Sequence, residues 1–138
     1  MPVEATHSIT VEWGDCDPAG IVYYPNYYRW MDQSTFRLFA SVGLKRDPLT
    51  SGQWTEGTPL VEAKCSFRRA SQHGEPLTVT SHVSHWGRSS FTVSHVFRDR
   101  TGSIAAEGYE IRIWARKDGG ADTLRSVPVP EHVRSKLG

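Results

Sequence analysis

Apolar and polar residues alternate over 7–13, with Ile9, Val11 and Trp13 in one phase and Ser8, Thr10 and Glu12 in the other. A period of two predicts a half-buried strand. The period changes near Tyr24. Tyr24, Tyr28, Met31, Thr35, Leu38, Phe39 and Val42 recur at three- and four-residue steps, which predicts one long amphipathic helix. Pro25 suits its first position, where a missing N–H costs nothing, and Gly43 is a natural stop. Tyr27, Trp30 and Phe36 lie off the stripe. The helix is therefore apolar over much of its circumference and is expected to be wrapped by other structure. Residues 44–59 hold Pro48, Gly52, Gly57 and Pro59 among polar residues and read as a loop or short irregular helix.

Beyond Pro59 the period returns to two. Val61, Ala63, Cys65 and Phe67 form one phase, then Leu77, Val79, Ser81 and Val83, then Phe91, Val93, His95 and Phe97. Turn signals separate them at His73-Gly74-Glu75-Pro76, Trp86-Gly87-Arg88-Ser89 and Asp99-Arg100-Thr101-Gly102. The last long strand carries Ile104 and Ala106 in one phase and Tyr109, Ile111 and Ile113 in the other, which predicts a β-bulge at Gly108. Lys117-Asp118-Gly119-Gly120 ends it. Residues 123–127 read as a short edge segment, and Pro128 and Pro130 precede a polar tail.

Short turns imply antiparallel neighbours. One mostly apolar helix and one antiparallel sheet predict an α+β fold in which the sheet curls round the helix. At 138 residues the chain reads as one domain over 1–138. Such a unit leaves sheet edges open, and pairing an edge with a second copy is the usual remedy, so a homo-oligomer is expected.

Composition narrows the partners. The net charge of +1, without one long basic run, does not suggest a nucleic-acid surface. No apolar run approaches the ~18 residues that span a bilayer, and Met1-Pro2-Val3-Glu4 does not open a signal peptide. The expectation is a soluble cytoplasmic protein without membrane partners. The two cysteines, Cys16 and Cys65, imply no disulfide framework, and the six histidines form no zinc-spaced cluster. There is no Gly-x-Ser-x-Gly elbow, phosphate-binding loop or dinucleotide glycine signature.

The candidate chemistry lies between the first strand and the helix. Residues 14–27 read Gly14-Asp15-Cys16-Asp17-Pro18-Ala19-Gly20-Ile21-Val22-Tyr23-Tyr24-Pro25-Asn26-Tyr27. Two carboxylates, two glycines and two prolines in fourteen residues exceed what a connector needs. Such a loop can hold a carboxylate beside a helix N-terminus, whose free N–H groups favour negative charge. Donors would hold an oxyanion while the carboxylate attacks or activates water, which is acyl-transfer chemistry. Asp17 alone could simply be a turn residue, since Asp-Pro is a common turn opener. Asp15 reads as structural, accepting backbone N–H bonds within the loop. Cys16, between two carboxylates, is a weak nucleophile and reads as a small buried side chain. Cys65 reads as core, and His95 as a hydrogen-bonded core or interface residue.

This stretch, with Arg29-Trp30-Met31-Asp32 after it, resembles the 4-hydroxybenzoyl-CoA thioesterases of the hot-dog superfamily. The resemblance continues through Gly57-Thr58-Pro59, Trp86, Arg88, Ser90-Phe91, Glu110-Ile111-Arg112 and Leu124-Arg125. It implies a hot-dog fold, a dimer at least and a tetramer made of two dimers, with sites at subunit interfaces. It implies hydrolysis of an aromatic acyl-CoA without metal or other cofactor. By position, Asp17 matches the catalytic carboxylate, and the Tyr24 N–H the donor that polarises the thioester carbonyl. Asp32 matches the residue near a ring hydroxyl, and Thr58 one lining the acyl site. Arg88, Ser90 and Arg125 fall where the family contacts CoA. The basic cluster before Ser90-Phe91 is thinned here, with Gly87 and Ser89 beside the single Arg88. Two other functions compete: a thioesterase for short aliphatic acyl-CoA, and a non-catalytic module binding acyl-CoA or acyl carrier protein. Pro25-Asn26, where several aliphatic relatives place His-Ala, argues against the first. Asp17 in its full motif argues against the second.

Overall fold

The computed structural model of the chain describes residues 2–44, 56–117 and 123–138. The first strand, β1, runs Ala5–Thr10, with Ile9 and then Val11 turned inward. It is shorter than the alternation predicts. Val11 still joins its neighbours, its N–H on Glu75 O at 2.9 Å and its O taking the Gly74 N–H at 2.8 Å. A 3-10 turn at Trp13–Asp15 then takes the chain off the sheet, so Trp13 is exposed rather than core.

The long helix, α1, spans Pro25–Ser41. Gly43, at φ +82°, closes it: the Gly43 N–H returns to Ala40 O and the Leu44 N–H to Phe39 O. The buried stripe is Tyr27, Trp30, Met31, Ser34, Thr35, Leu38 and Phe39. It is rotated from the predicted one, with Tyr27 and Trp30 inward and Tyr24 outward, while Phe36 lies off it as predicted. The helix is covered on one face, and Arg29, Asp32, Gln33 and Arg37 lie on its open side.

The remaining strands are β2 (Glu56–Gly57), β3 (Leu60–Phe67), β4 (Pro76–Trp86), β5 (Ser90–Arg98), β6 (Ile104–Ile113), β7 (Ala115–Lys117) and β8 (Leu124–Ser126). Five form an antiparallel sheet in the order β1-β4-β5-β6-β3, and β2-β7-β8 form a smaller one. With α1 packed on the large sheet, this is the α+β hot-dog architecture the sequence predicts. Leu77, Val79, Ser81 and Val83 of β4 and Phe91, Val93, His95 and Phe97 of β5 face the helix, as their alternation requires. Of the 44–59 stretch, Pro48 and Gly52 lie outside the described residues, as do Asp118, Gly119 and Gly120 after β7.

Three further features differ from the sequence reading. First, consecutive strands are not always neighbours: β3 lies at one edge and β4 pairs with β1 near the other. Residues 68–75 make the crossing. The Arg68 and Arg69 N–H groups bond Ala105 O of β6, Ser71 O takes the Val22 N–H, and Gly74 reaches Val11. Second, Gly108 is not a bulge. Its register is continuous on both sides, and the shift in β5–β6 falls at Phe97/Arg98, so that Ala105 and Ala106 are both buried. Gly108 serves close approach instead, since a Cβ there would lie 2.1 Å from Lys64 O. The inward face of β6 therefore carries Glu110 and Arg112, while Tyr109, Ile111 and Ile113 are only partly covered. Third, the polar tail forms a helix, α2 (Glu131–Leu137). Its Val133 and Leu137 pack with Leu38, Phe39 and Phe91 in a second core cluster.

Candidate active site

The 11–24 loop is built around Asp15. Its Oδ2 accepts the Glu12 N–H at 2.9 Å, and its main-chain O accepts from Tyr23 N and Asn26 Nδ2, both at 2.8 Å. Its Oδ1 pairs with Arg29 Nη2 at 3.1 Å. One residue thereby fastens the strand exit to the first turns of α1, the structural role expected of it.

Asp17 opens a tight hairpin inside the loop. Its N–H donates to Ile21 O and its O accepts the Gly20 N–H, both at 2.9 Å. Gly20, at φ +80°, occupies a backbone region that disfavours a side chain. Asp17 Oδ1 accepts the Ala19 N–H at 2.9 Å, which fixes the carboxylate's orientation. Asp17 Oδ2 has no partner among the described residues. The hairpin rests on the 68–75 crossing through Val22–Ser71 and the Ile21–Gln72 bridge.

Tyr24 caps α1, and its side chain is exposed beside Phe67, ring to ring at 6.4 Å. Pro25 has no N–H to offer. The Asn26 N–H goes to Tyr23 O and the Tyr27 N–H to Tyr24 O. Among the described residues, nothing accepts from the Tyr24 N–H. The junction thus combines a held carboxylate with a free donor at a helix start. This equipment suits attack on a carbonyl and stabilisation of its oxyanion.

Asp32 and Thr58 are brought together by a third residue, Arg112. Its Nη2 donates to Asp32 Oδ1 at 2.7 Å and its Nη1 to Thr58 O at 2.9 Å. Glu110 holds the guanidinium from behind, with Nη2–Oε2 at 2.8 Å. Glu110 Oε1 also accepts from the Thr35 hydroxyl and from His95 Nε2 at 3.1 Å, and His95 Nδ1 meets Ser81 Oγ at 2.6 Å. Burial alone would push the Glu110 carboxyl up. The hydrogen bonds from His95, Arg112 and Thr35, with the Arg112 charge, outweigh it and hold Glu110 at about 2. No hydrogen bond or ion pair among the described residues links Asp17 to Asp32 or Thr58.

Ser90 opens β5, Arg88 lies in the turn before it, and Arg125 is on β8 of the smaller sheet. Ser90 stands opposite Ile113, and the turn before it closes through Gly87 N–H to Ser90 O at 2.7 Å. A Cβ on Gly87 would meet Ser90 Oγ at 2.5 Å, so the glycine allows the tight turn. The Arg88 carbonyl accepts from Val129 N and from Arg134 Nη2, and its side chain is exposed. Trp114 joins the pieces: its N–H goes to Ser89 O and its O takes the Val127 N–H. The turn carrying Arg88 and the strand carrying Arg125 are therefore neighbours.

Comparison with known proteins bears on what this equipment serves. Residues 11–137 match the family model described as the thioesterase-like superfamily. The chain belongs to the thioesterase-like superfamily. This thioesterase is similar to a 4-hydroxybenzoyl-CoA thioesterase of Pseudomonas sp. strain CBS-3, 36% identical over 127 residues and 87% of each chain. Its fold superimposes with a TM-score of 0.88, at 32% identity, on a 4-hydroxybenzoyl-CoA thioesterase variant complexed with 4-hydroxybenzoyl-CoA, covering 98% of this chain and 99% of that one. A gentisyl-coenzyme A thioesterase superimposes at 0.82, with 32% identity over 94% of this chain and 99% of that one. The sequence-level resemblance to hot-dog thioesterases is borne out, and the protein is a thioester hydrolase.

Sequence reasoning missed how the thioesterase connects Asp32 to its core. Glu110 and Arg112 stand two apart among apolar residues, a visible signal of one face carrying an ion pair. The reading gave the core face of β6 to Tyr109, Ile111 and Ile113 because hydrophobicity alone chose the phase.

Proposed function

We propose that this thioesterase, a single hot-dog domain, hydrolyses an aromatic acyl-CoA to free acid and CoA in the cytoplasm. The acyl group is 4-hydroxybenzoyl or a closely related benzoyl. The observation that carries the reading is Asp17, oriented by the Ala19 N–H, in the loop that leads to the unpaired Tyr24 N–H. The names of the relatives at 32–36% identity, acting on hydroxybenzoyl and gentisyl thioesters, support the aryl class. In this reading the thioester oxygen accepts from the Tyr24 N–H. Asp17 then either attacks the carbonyl carbon, expelling CoA thiolate and leaving a mixed anhydride for water to open, or takes a proton from attacking water. Asp32 accepts from a ring hydroxyl and Thr58 lines the acyl site.

A thiol-release assay over acetyl-, butanoyl-, benzoyl- and 4-hydroxybenzoyl-CoA tests the reading. The highest kcat/KM is expected on 4-hydroxybenzoyl-CoA, and a preference for the aliphatic substrates would replace the aryl assignment. A single turnover in heavy-oxygen water separates the two roles of Asp17: label in Asp17 supports the anhydride, label only in the product supports the base.

The same proposal has the site completed by a second copy. β3 is an edge strand with Leu60, Val61 and Phe67 exposed, and a bare apolar edge calls for pairing. We expect a dimer at least, and a tetramer from two dimers. Light scattering at micromolar concentration that reports a monomer would remove the interface site.

Arg88, Ser90 and Arg125 contact the CoA portion in this reading. Replacing Arg88 by Ala should raise KM roughly tenfold, since charge-assisted hydrogen bonds contribute about 1.5–3 kcal/mol. The phosphates are remote from the chemistry, so kcat should hold. Steady-state kinetics showing an unchanged KM would take Arg88 out of the CoA site.

A further inference from the structure

A guanidinium can hold several acceptors in one plane because its five N–H donors form a rigid fork. Arg112 uses that fork on three separate elements. It bonds Asp32 on α1 at 2.7 Å, the Thr58 carbonyl before β3 at 2.9 Å, and Glu110 on β6 at 2.8 Å. The guanidinium is buried, with side-chain exposure of 9%, whereas the Asp32 side chain is 71% exposed. An exposed carboxylate on a helix is ordinarily free to turn. Here one oxygen is tied to a buried cation that is itself held by Glu110, and Glu110 is held by Thr35 and His95. Asp32 Oδ2 has no partner among the described residues, which leaves an acceptor on a carboxylate whose other oxygen is held.

We propose that Arg112 is a positioning residue for acyl-group selection: it orients the Asp32 acceptor and sets its spacing from the Thr58 segment, so that recognition of a hydroxylated acyl ring depends on Arg112 as much as on Asp32. This rests on the reading of Asp32 and Thr58 as the acyl end of the site. Arg112 does not touch the substrate. Its contribution appears as the ratio of kcat/KM on 4-hydroxybenzoyl-CoA to that on benzoyl-CoA. A merely structural residue would lower both rates together and leave the ratio alone.

The experiment measures that ratio in the wild type and in Asp32→Asn, Arg112→Lys and Arg112→Lys/Asp32→Asn. Lys keeps a positive charge against Glu110 but cannot serve three acceptors in one plane. Arg112→Lys is expected to cut the ratio roughly tenfold, the order of one charge-assisted hydrogen bond, while the rate on benzoyl-CoA changes by a few-fold at most. The double variant should lose no more selectivity than Asp32→Asn alone, because the two act through one contact. If Arg112→Lys does not fold, Arg112→Met/Glu110→Gln removes both buried charges together, a milder change than removing one, and the same drop in ratio is expected. A wild type that treats both substrates alike overturns the reading of Asp32 itself. A wild type that discriminates, with selectivity lost in Asp32→Asn and kept in the folded Arg112 variants, overturns the role of Arg112 alone.

Discussion

Replacing Asp17 by Asn is expected to lower kcat by at least about a hundredfold while substrate still binds. Asn has nearly the same shape. Its side-chain oxygen can still accept the Ala19 N–H, and the hairpin bonds of residue 17 to Gly20 and Ile21 are made by main chain. The loop and the proposed oligomer should therefore persist. What disappears is the negative charge, and with it the nucleophile or base. General-base help contributes about 10²–10⁴-fold, and a lost nucleophile can cost more. The Tyr24 N–H remains, so activity above the uncatalysed rate should persist. The control is Asp15→Asn, which weakens the pairing with Arg29 and should cost stability more than rate. Single-turnover kinetics on 4-hydroxybenzoyl-CoA checks both variants. A folded Asp17→Asn enzyme within a few-fold of the original would overturn the mechanism.

The largest expected loss of stability comes from Glu110→Ala. Glu110 is 2% exposed and lies between Thr35, His95 and Arg112. Removing it leaves a buried guanidinium without its main counter-charge, since Asp32 on the other side is largely solvated. Breaking one half of such a pair costs about 3–5 kcal/mol, against about 5–15 kcal/mol for a whole domain. Chemical denaturation at fixed protein concentration should show it. The exposed pair Arg68–Glu107 is the contrast, where Arg68→Ala should cost about 1 kcal/mol or less. Acid gives an independent readout. Folding holds Glu110 at about 2, below its ordinary 4.5, so its contribution is complete above pH 4.5 and is lost as the pH falls toward 2. The wild type should therefore lose stability through that window, and Glu110→Ala should show a shallower slope. Some slope should remain, because Asp99 is also held below its usual range, chiefly by the Thr101 hydroxyl. An equal acid slope in both proteins would mean that Glu110 is not the group being titrated.

Much of the fold was legible because strand and helix periods depend only on local geometry. Leu77, Val79, Ser81 and Val83, and Phe91, Val93, His95 and Phe97, alternate in a single phase, and each takes the buried face that the alternation assigns. Pro25 and Gly43 bound the helix because their backbone restrictions act whatever surrounds them. The Asp17 loop was legible too. A hairpin of this tightness needs Pro18 and Gly20 at fixed offsets, and such requirements leave their mark on the sequence.

Tertiary structure alone decided what depends on neighbours distant in the chain. Pairing of β4 with β1 rather than β3 follows from the 68–75 crossing, whose bonds reach Ala105, Val22 and Val11. The face of β6 was misjudged because Glu110 and Arg112 satisfy each other, which makes a charged pair compatible with a core that hydrophobicity would deny to either residue alone. The tail became α2 because Val133 and Leu137 find Leu38 and Phe91 to pack against, which seven mostly polar residues cannot reveal. Asp17 and Asp32 could be named from the sequence. That a buried arginine fixes Asp32, and ties it to Thr58, is a relation among α1, β6 and the segment before β3, and no local pattern encodes a meeting of three elements.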